Sequence, residues 1–234
     1  YTLGYLTMPG AMTTYMDPDR KATYSLKDWQ PVALHTVDSG MVAVSASSKY
    51  QGIKDLVDAA KAQPEAVKLG DPGIMTLGHL QVLQIQEMTG AKFSSVHFEG
   101  TAPGMTAVLG GHVDALFSTL GGVLALVKSG QARVIGISDK QESKVFPGAK
   151  TFESQGYNFY GYVSYGVVAP AGTPKEMVDV LSAAVKKVSD DEDQKTKIAQ
   201  QGLEVRYMSS SDYAAYLVDT EKQLKPLVEL AKRK

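Results

Sequence analysis

"EGTAPGMTAVLGGHVDALFS", Glu99 to Ser118, holds a turn of small residues, an apolar helical run, a Gly-Gly turn and an apolar strand in immediate succession. Gly100, Thr101 and Pro103 suit the start of a helix: glycine for the turn, threonine as a cap, and proline in the first turn, where its missing N–H is tolerated. The turn therefore predicts a strand-to-helix joint whose backbone stays open to a partner, and the segment as a whole reads as one βαβ unit.

The same alternation extends outward. Upstream lie a strand at "MVAVSAS" (41–47), a helix from Lys54 to Gln63, "AVKLG" (66–70), a helix from Thr76 to Met88, and "SSVHFEG" (94–100). Downstream come a short helix near 121–129 and "ARVIGIS" (132–138). Strands alternating with helices of about 10 residues predict a mostly parallel sheet covered by helices, an α/β fold. After Ser138 the polar stretch "DKQESKVFPGAKTFESQGYNFYGY" lacks sustained periodicity and reads as a surface connection. "VSYGVVAPAGTP" then leads into a helix expected to be capped by Thr173, with Pro174 at its first position and Val178, Leu181, Val185 and Val188 on one face. A last helix begins near Ser211 and carries Pro226 as an expected kink. The strands "MVAVSAS" and "VSYGVVAP" flank a block of about 120 residues, the size of one domain. They are the expected hinge crossings, giving one lobe from 43–165 and another from 1–42 with 166–234. The second lobe is short of material, so further N-terminal βαβ structure is expected ahead of residue 1.

With 44% hydrophobic and 21% charged residues, the composition is that of a folded globular chain. The 24 Lys and Arg against 25 Asp and Glu leave no basic excess for nucleic acid. With no cysteine, disulfides, thiol nucleophiles and thiolate metal sites are excluded, while cytoplasm and periplasm both stay open. Any leader peptide lies outside the given chain.

Catalytic signatures are missing: there is no G-x-S-x-G, H-E-x-x-H, G-x-x-x-x-G-K-S/T or G-x-G-x-x-G. His35, His79, His97 and His112 are too far apart in sequence for local metal-ligand spacing. His79 and His97 read as satisfied polar groups near helix and strand ends and His112 as a turn residue, with a meeting of distant histidines in the fold left open. No enzyme activity, metal or cofactor is expected. What stands out is a pair of similar strand-to-helix turns. In "LGDPGIMTLGHL", Gly70, Pro72 and Gly73 make the turn and Thr76 is the expected cap; in "FEGTAPGM", Gly100 and Thr101 play these parts. Helix N-termini at the carboxyl edge of an α/β sheet offer unpaired N–H groups to anions. No Lys or Arg falls between Lys68 and Lys92 or between Lys92 and Lys128, so such a site would work through backbone, hydroxyls and water. Plain capping chemistry is the alternative, for these turns as for Thr7, Met8 and Pro9 and for Ser118 and Thr119. The aromatic group Tyr157, Phe159, Tyr160, Tyr162 and Tyr165 reads as packing between lobes or as a stacking wall.

The order "DLVDAAKAQPEAVKLGDPGIMTLGHL", "TGAKFSSVHFEGTAPGMTAVLGGHVDALF", "SGQARVIGIS", "FPGAKTFESQGYNF" and "YGVVAPAGTPKEMVDVL" resembles the substrate-binding proteins of tripartite tricarboxylate transporters, the Bug family, over nearly the whole chain. The resemblance implies a two-lobed, periplasmic-binding-protein-like (type II) fold. It implies a periplasmic receptor that closes around a small carboxylate and delivers it to membrane components of a transporter, without inserting into the membrane itself. The ligand stays open among di- and tricarboxylates, aromatic acids and amino acids. The resemblance also implies roughly 70 further residues ahead of the chain, by the size of the βαβ material expected there. It places Gly73, Ile74, Met75 and Thr76 on one pocket loop, Gly100, Thr101 and Ala102 on another, Ser118 and Thr119 at the end of a cleft strand, and Thr7 and Met8 on a loop of the other lobe. Glu99 stands where the family usually has lysine, and Ser164 where it often has tryptophan; a carboxylate at Glu99 facing the cleft would favour an amino group on the ligand. The alternative function is a cytoplasmic effector-binding domain of a transcription regulator, a class that shares the two-lobed α/β design.

Overall fold

The computed structural model describes residues 2–140, 142–143, 145–146, 148–159 and 161–232. In chain order the elements are β1 (Gly4–Met8), α1 (Gly10–Met16), β2 (Trp29–Ser45), α2 (Ile53–Ala62), β3 (Lys68–Asp71), α3 (Leu77–Thr89), β4 (Ser94–His97), α4 (Thr101–Leu109), β5 (Ala115–Thr119), α5 (Leu120–Lys128), β6 (Ala132–Ile137), β7 (Tyr162–Pro170), α6 (Lys175–Asp190), α7 (Glu192–Gln200), β8 (Glu204–Met208) and α8 (Ser210–Lys232). They fall into two units: Tyr1–Val37 with Val163–Lys234, and Asp38–Tyr162. The chain passes between the units within β2 and at the start of β7.

In the unit Asp38–Tyr162 the strand order is β6-β2-β5-β3-β4. Alternate residues of a strand face opposite sides, and β2 shows it: Val42 and Val44 belong to one buried cluster, Met41 and Ala43 to another. The first cluster is closed by α2 and α3 through Ile53, Leu56, Val82 and Ile85, the second by α4 and α5 through Met105, Val108, Leu120 and Val123. A sheet covered on both faces needs apolar residues at successive positions, which is why its strands read as continuous hydrophobic runs. The fold is α/β, as the alternation predicts. The pairing is mixed: β3 runs parallel to β4 and β5, whereas β2 is antiparallel to β5 and β6. The antiparallel pairs arise because β2 arrives from the other unit instead of through a helical crossover.

In the unit Tyr1–Val37 with Val163–Lys234, the first residues of β2 lie between β7 and β8, with β1 on the far side of β7. Val32, Ala33 and Ala169 are buried there against Leu181, Val185 and Tyr207. This unit holds three elements that the sequence reading did not anticipate, α1, α7 and β8. The predicted cap of α6 is corrected by one residue: Pro174 occupies the N-cap, and the Thr173 hydroxyl donates to the Pro170 carbonyl at 2.7 Å. Pro226 sits inside α8 without ending it.

Candidate functional site

Because β3, β4 and β5 are parallel neighbours, with Asp71 level with His97 and Gly70 level with Leu116, their carboxyl ends share one edge. The turns into α3, α4 and α5 therefore come together, and with them Gly73, Ile74, Met75, Thr76, Gly100, Thr101, Ala102, Ser118 and Thr119. Close packing requires several of the intervening glycines. A Cβ on Gly78 would sit 2.2 Å from the Phe117 carbonyl oxygen, so α3 can lie this close to β5 only without a side chain. A Cβ on Gly122 would meet the Thr101 side chain at 2.8 Å, which sets the starts of α4 and α5 side by side. Gly100, at φ +111°, holds a backbone conformation that side chains disfavour.

The hydroxyls differ from the sequence expectation. Thr76 is the N-cap residue of α3, yet its Oγ1 donates to the Gly73 carbonyl at 2.7 Å and not to a helix N–H. Thr101 is the first residue of α4, with Gly100 as N-cap, and its Oγ1 lies 2.6 Å from Ser118 Oγ. Neither helix receives a side-chain cap, because each threonine is drawn to a nearer partner. Met75 and Ser118 are buried and Ile74 is 55% exposed, so Met75 can offer a ligand only its backbone.

The start of α5 is already occupied. The Asp38 carboxylate accepts from the Gly121 N–H at 3.0 Å, with further bonds from the Leu120 N–H and the Thr119 hydroxyl. A carboxylate there complements the positive end of the helix, but burial dominates and pushes its pKa from 3.8 to about 6. Thr119 is thereby committed to an internal anion. Of the three helix starts on this edge, those of α3 and α4 are left without a side-chain cap.

Beside the α3 turn, Asp71 has a fully buried side chain. Its Oδ1 accepts from the Gly73 N–H at 2.9 Å and its Oδ2 faces His97 Nδ1 at 2.8 Å. Burial raises the Asp71 pKa against the lowering effect of these two bonds. His79 Nδ1 accepts from the Met75 N–H at 2.9 Å, and the His79 and His97 rings lie 4.7 Å apart. Histidines 18 positions apart thus meet, which no local spacing could show. Among the described residues no group of three or more His, Cys, Asp or Glu side chains is placed to hold a metal ion.

Thr7 and Met8 end β1 in the other unit, level with Tyr165 and Ser164 of β7, and a cis peptide bond joins Met8 to Pro9. Met8 is fully buried, which leaves its backbone and exposed Thr7 for any contact. Ser164 is buried and hydrogen-bonded at 3.2 Å to the Tyr216 hydroxyl. Of the aromatic group, Tyr157 and Phe159 belong to the core of the unit Asp38–Tyr162, and Tyr165 stacks on Tyr5 at 6.1 Å in the other unit. Tyr160 lies outside the described residues. A cavity of about 750 Å³ opens between α6 and the start of α8. Its two lysines, Lys175 and Lys186, are each paired with an aspartate one turn on, Asp179 and Asp190, so it offers an anion no unpaired lysine.

Residues 1–232 match the family described as "Tripartite tricarboxylate transporter family receptor". A Cupriavidus necator protein described as "UPF0065 protein in gbd 5'region" is 30% identical over 234 residues, 97% of this chain and 69% of its own length. A Bordetella bronchiseptica relative, 28% identical, is spanned over 61% of its length. Among solved structures, a TctC solute-binding protein from Polaromonas superposes with a TM-score of 0.83 at 22% identity, covering 98% of this chain and 78% of that one. MatC from Rhodopseudomonas palustris, solved with bound malate, gives a TM-score of 0.79 at 21% identity over 97% of this chain and 79% of its own. The fold is that of periplasmic solute-binding proteins, and the chain belongs to the tripartite tricarboxylate transporter receptor family.

Proposed function

We propose that the chain is the greater part of an extracytoplasmic receptor that binds a small organic carboxylate without transforming it and hands it to a membrane transporter. The observation that carries this reading is the shared edge of β3, β4 and β5, where α3 and α4 start without a side-chain cap. The N–H groups of Gly73, Met75, Thr76 and Gly100 are taken by Asp71, His79, Gly73 and Pro72, so those offered to a ligand are the first ones of the helices, Leu77 and Gly78 of α3 and Thr101 and Ala102 of α4, on a stretch of sequence without Lys or Arg between Lys68 and Lys92 or between Lys92 and Lys128. Such groups, with the positive ends of two helices behind them, suit a carboxylate. Asp38 supports the reading, since α5 on the same edge already takes a carboxylate from its own chain. We assign Thr7 and Met8, at the end of β1, as further ligand contacts, and closure as a hinge motion within β2 and at the start of β7. Among the described residues no helix is long and apolar enough to cross a membrane.

Isothermal titration calorimetry against a panel of malate, citrate, adipate, benzoate and glutamate tests the proposal. A receptor gives saturable one-to-one binding to at least one member of the panel, with the ligand recovered unchanged. Absence of heat throughout the panel, or consumption of the bound compound, refutes it.

A further inference from the structure

We propose that His79 is a positioning residue for the loop Asp71–Thr76, acting as the neutral tautomer that carries its proton on Nε2. Met75 holds φ +62°, a left-handed conformation that residues with a Cβ rarely adopt. Its N–H donates to His79 Nδ1 at 2.9 Å, four residues on and in the first turn of α3. An imidazole nitrogen accepts a hydrogen bond only when it bears no proton, so this bond exists only while Nδ1 is bare. The conformation of Met75 is thus tied to the protonation state of one buried side chain.

The second arm of the device is Asp71. Its carboxylate takes the Gly73 N–H on one oxygen and faces His97 Nδ1 on the other, and the His97 ring meets the His79 ring edge to face, 4.7 Å away at 74°. A continuous chain of contacts therefore runs from one loop N–H to another: Gly73, Asp71, His97, His79, Met75. Among the described residues, His97 of β4 lies against the His79 ring, and His97 is in turn bonded to Asp71 of β3. The adjoining strand β5, Ala115–Thr119, has no titratable group, and α3 itself has no charged residue before Glu87. A second proton on His79 removes the acceptor for Met75 and places its charge beside His97, so acidification releases the Met75 end of the loop. That the loop contacts a ligand rests on the function proposed above; that His79 sets its backbone does not.

Nuclear magnetic resonance of the ligand-free chain tests the device directly. At pH 7.5 the ¹⁵N shifts of His79 report a bare Nδ1, and a coupling across the hydrogen bond links it to the Met75 nitrogen. On acidification that coupling vanishes, and the Met75 amide shifts with the same midpoint as the His79 titration. In His79→Leu the Met75 amide exchanges about tenfold faster than in the wild type, whereas His79→Gln, which keeps an acceptor that does not titrate, stays within about threefold. With malate as the probe, His79→Leu weakens binding about tenfold, and adding Met75→Gly recovers it, since glycine holds φ +62° without strain. A protonated Nδ1 at pH 7.5, or a Met75 amide indifferent to His79→Leu, overturns the positioning role whatever the affinities. An intact Met75–His79 bond in a protein that binds no carboxylate upholds the positioning role and overturns the ligand-loop reading. The wild-type coupling decides the matter even where His79→Leu does not fold.

Discussion

Asp38 makes this protein less stable as the pH rises from 4 to 6, and Asp38→Asn abolishes that loss. The carboxylate is 5% exposed, and burial raises its folded pKa from 3.8 to about 6 despite the bonds from Gly121, Leu120 and Thr119. Below pH 3.8 the group is protonated in both folded and unfolded chains and contributes no difference. Between about 4 and 6 the unfolded chain releases the proton while the folded chain keeps it, so each step up in pH favours unfolding. A difference of about two pKa units at 1.36 kcal/mol each amounts to about 3 kcal/mol, fully developed above pH 6. Asparagine keeps an acceptor for the Gly121 N–H and cannot ionise. Urea unfolding of both proteins at pH 4, 5, 6 and 7 provides the assay, with the difference in unfolding free energy followed against pH. Asp71, also raised by burial, is present in both proteins and cancels in the difference. The variant gains on the wild type by about 3 kcal/mol between pH 4 and pH 7. A flat difference, or one that falls with pH, refutes the assignment of a buried, unfavourably charged carboxylate at the start of α5.

Two further substitutions probe the packing. Gly78→Ala places a methyl group 2.2 Å from a backbone oxygen of β5, which must move; thermal unfolding should show a loss of about 3 kcal/mol, and an unchanged melting temperature would contradict the α3–β5 contact. Among the described residues the buried Tyr213 hydroxyl has no hydrogen-bond partner, and its pKa is raised by burial. Tyr213→Phe should therefore leave stability unchanged or raise it by about 1 kcal/mol in chemical denaturation, and a loss of 2 kcal/mol or more would show a partner for that oxygen.

The parts of the fold legible in the sequence are those in which a buried face imposes a pattern. The apolar run of β6 and the helices α2, α3 and α5 lie within a residue or two of where periodicity puts them, because both faces of their sheet are covered. β2 was legible only from Met41 onward: His35, Asp38, Ser39 and Gly40 interrupt its apolar run, and for the last three the partner lies far away in sequence. Asp38 is there to meet Gly121, and Gly40 is there because a Cβ would overlap Gln81 and Ser138. α7 was illegible because "EDQKTKIAQ" buries no residue and so carries no stripe, and "GAMTTYM" of α1 is too short to show one.

The candidate site was legible as chemistry and not as partnership. Glycines and threonines before helices mark the turns, but the sequence cannot say that Thr76 bonds Gly73, that Thr101 bonds Ser118, or that a carboxylate from β2 fills one of three helix starts. The contact of His79 with His97 was hidden in the same way, since β3 and β4 must first pair before the two rings can meet.

The central claim, that a carboxylate binds on the edge formed by the starts of α3 and α4, is tested most directly by following backbone amide resonances while malate is added. The largest saturable shifts should fall on the first N–H groups of the two helices, Leu77, Gly78, Thr101 and Ala102, with Leu120 and Gly121, already held by Asp38, moving least. Shifts centred on Leu120 and Gly121, or saturable binding that leaves the loops Gly73–Thr76 and Gly100–Ala102 unmoved, would contradict it.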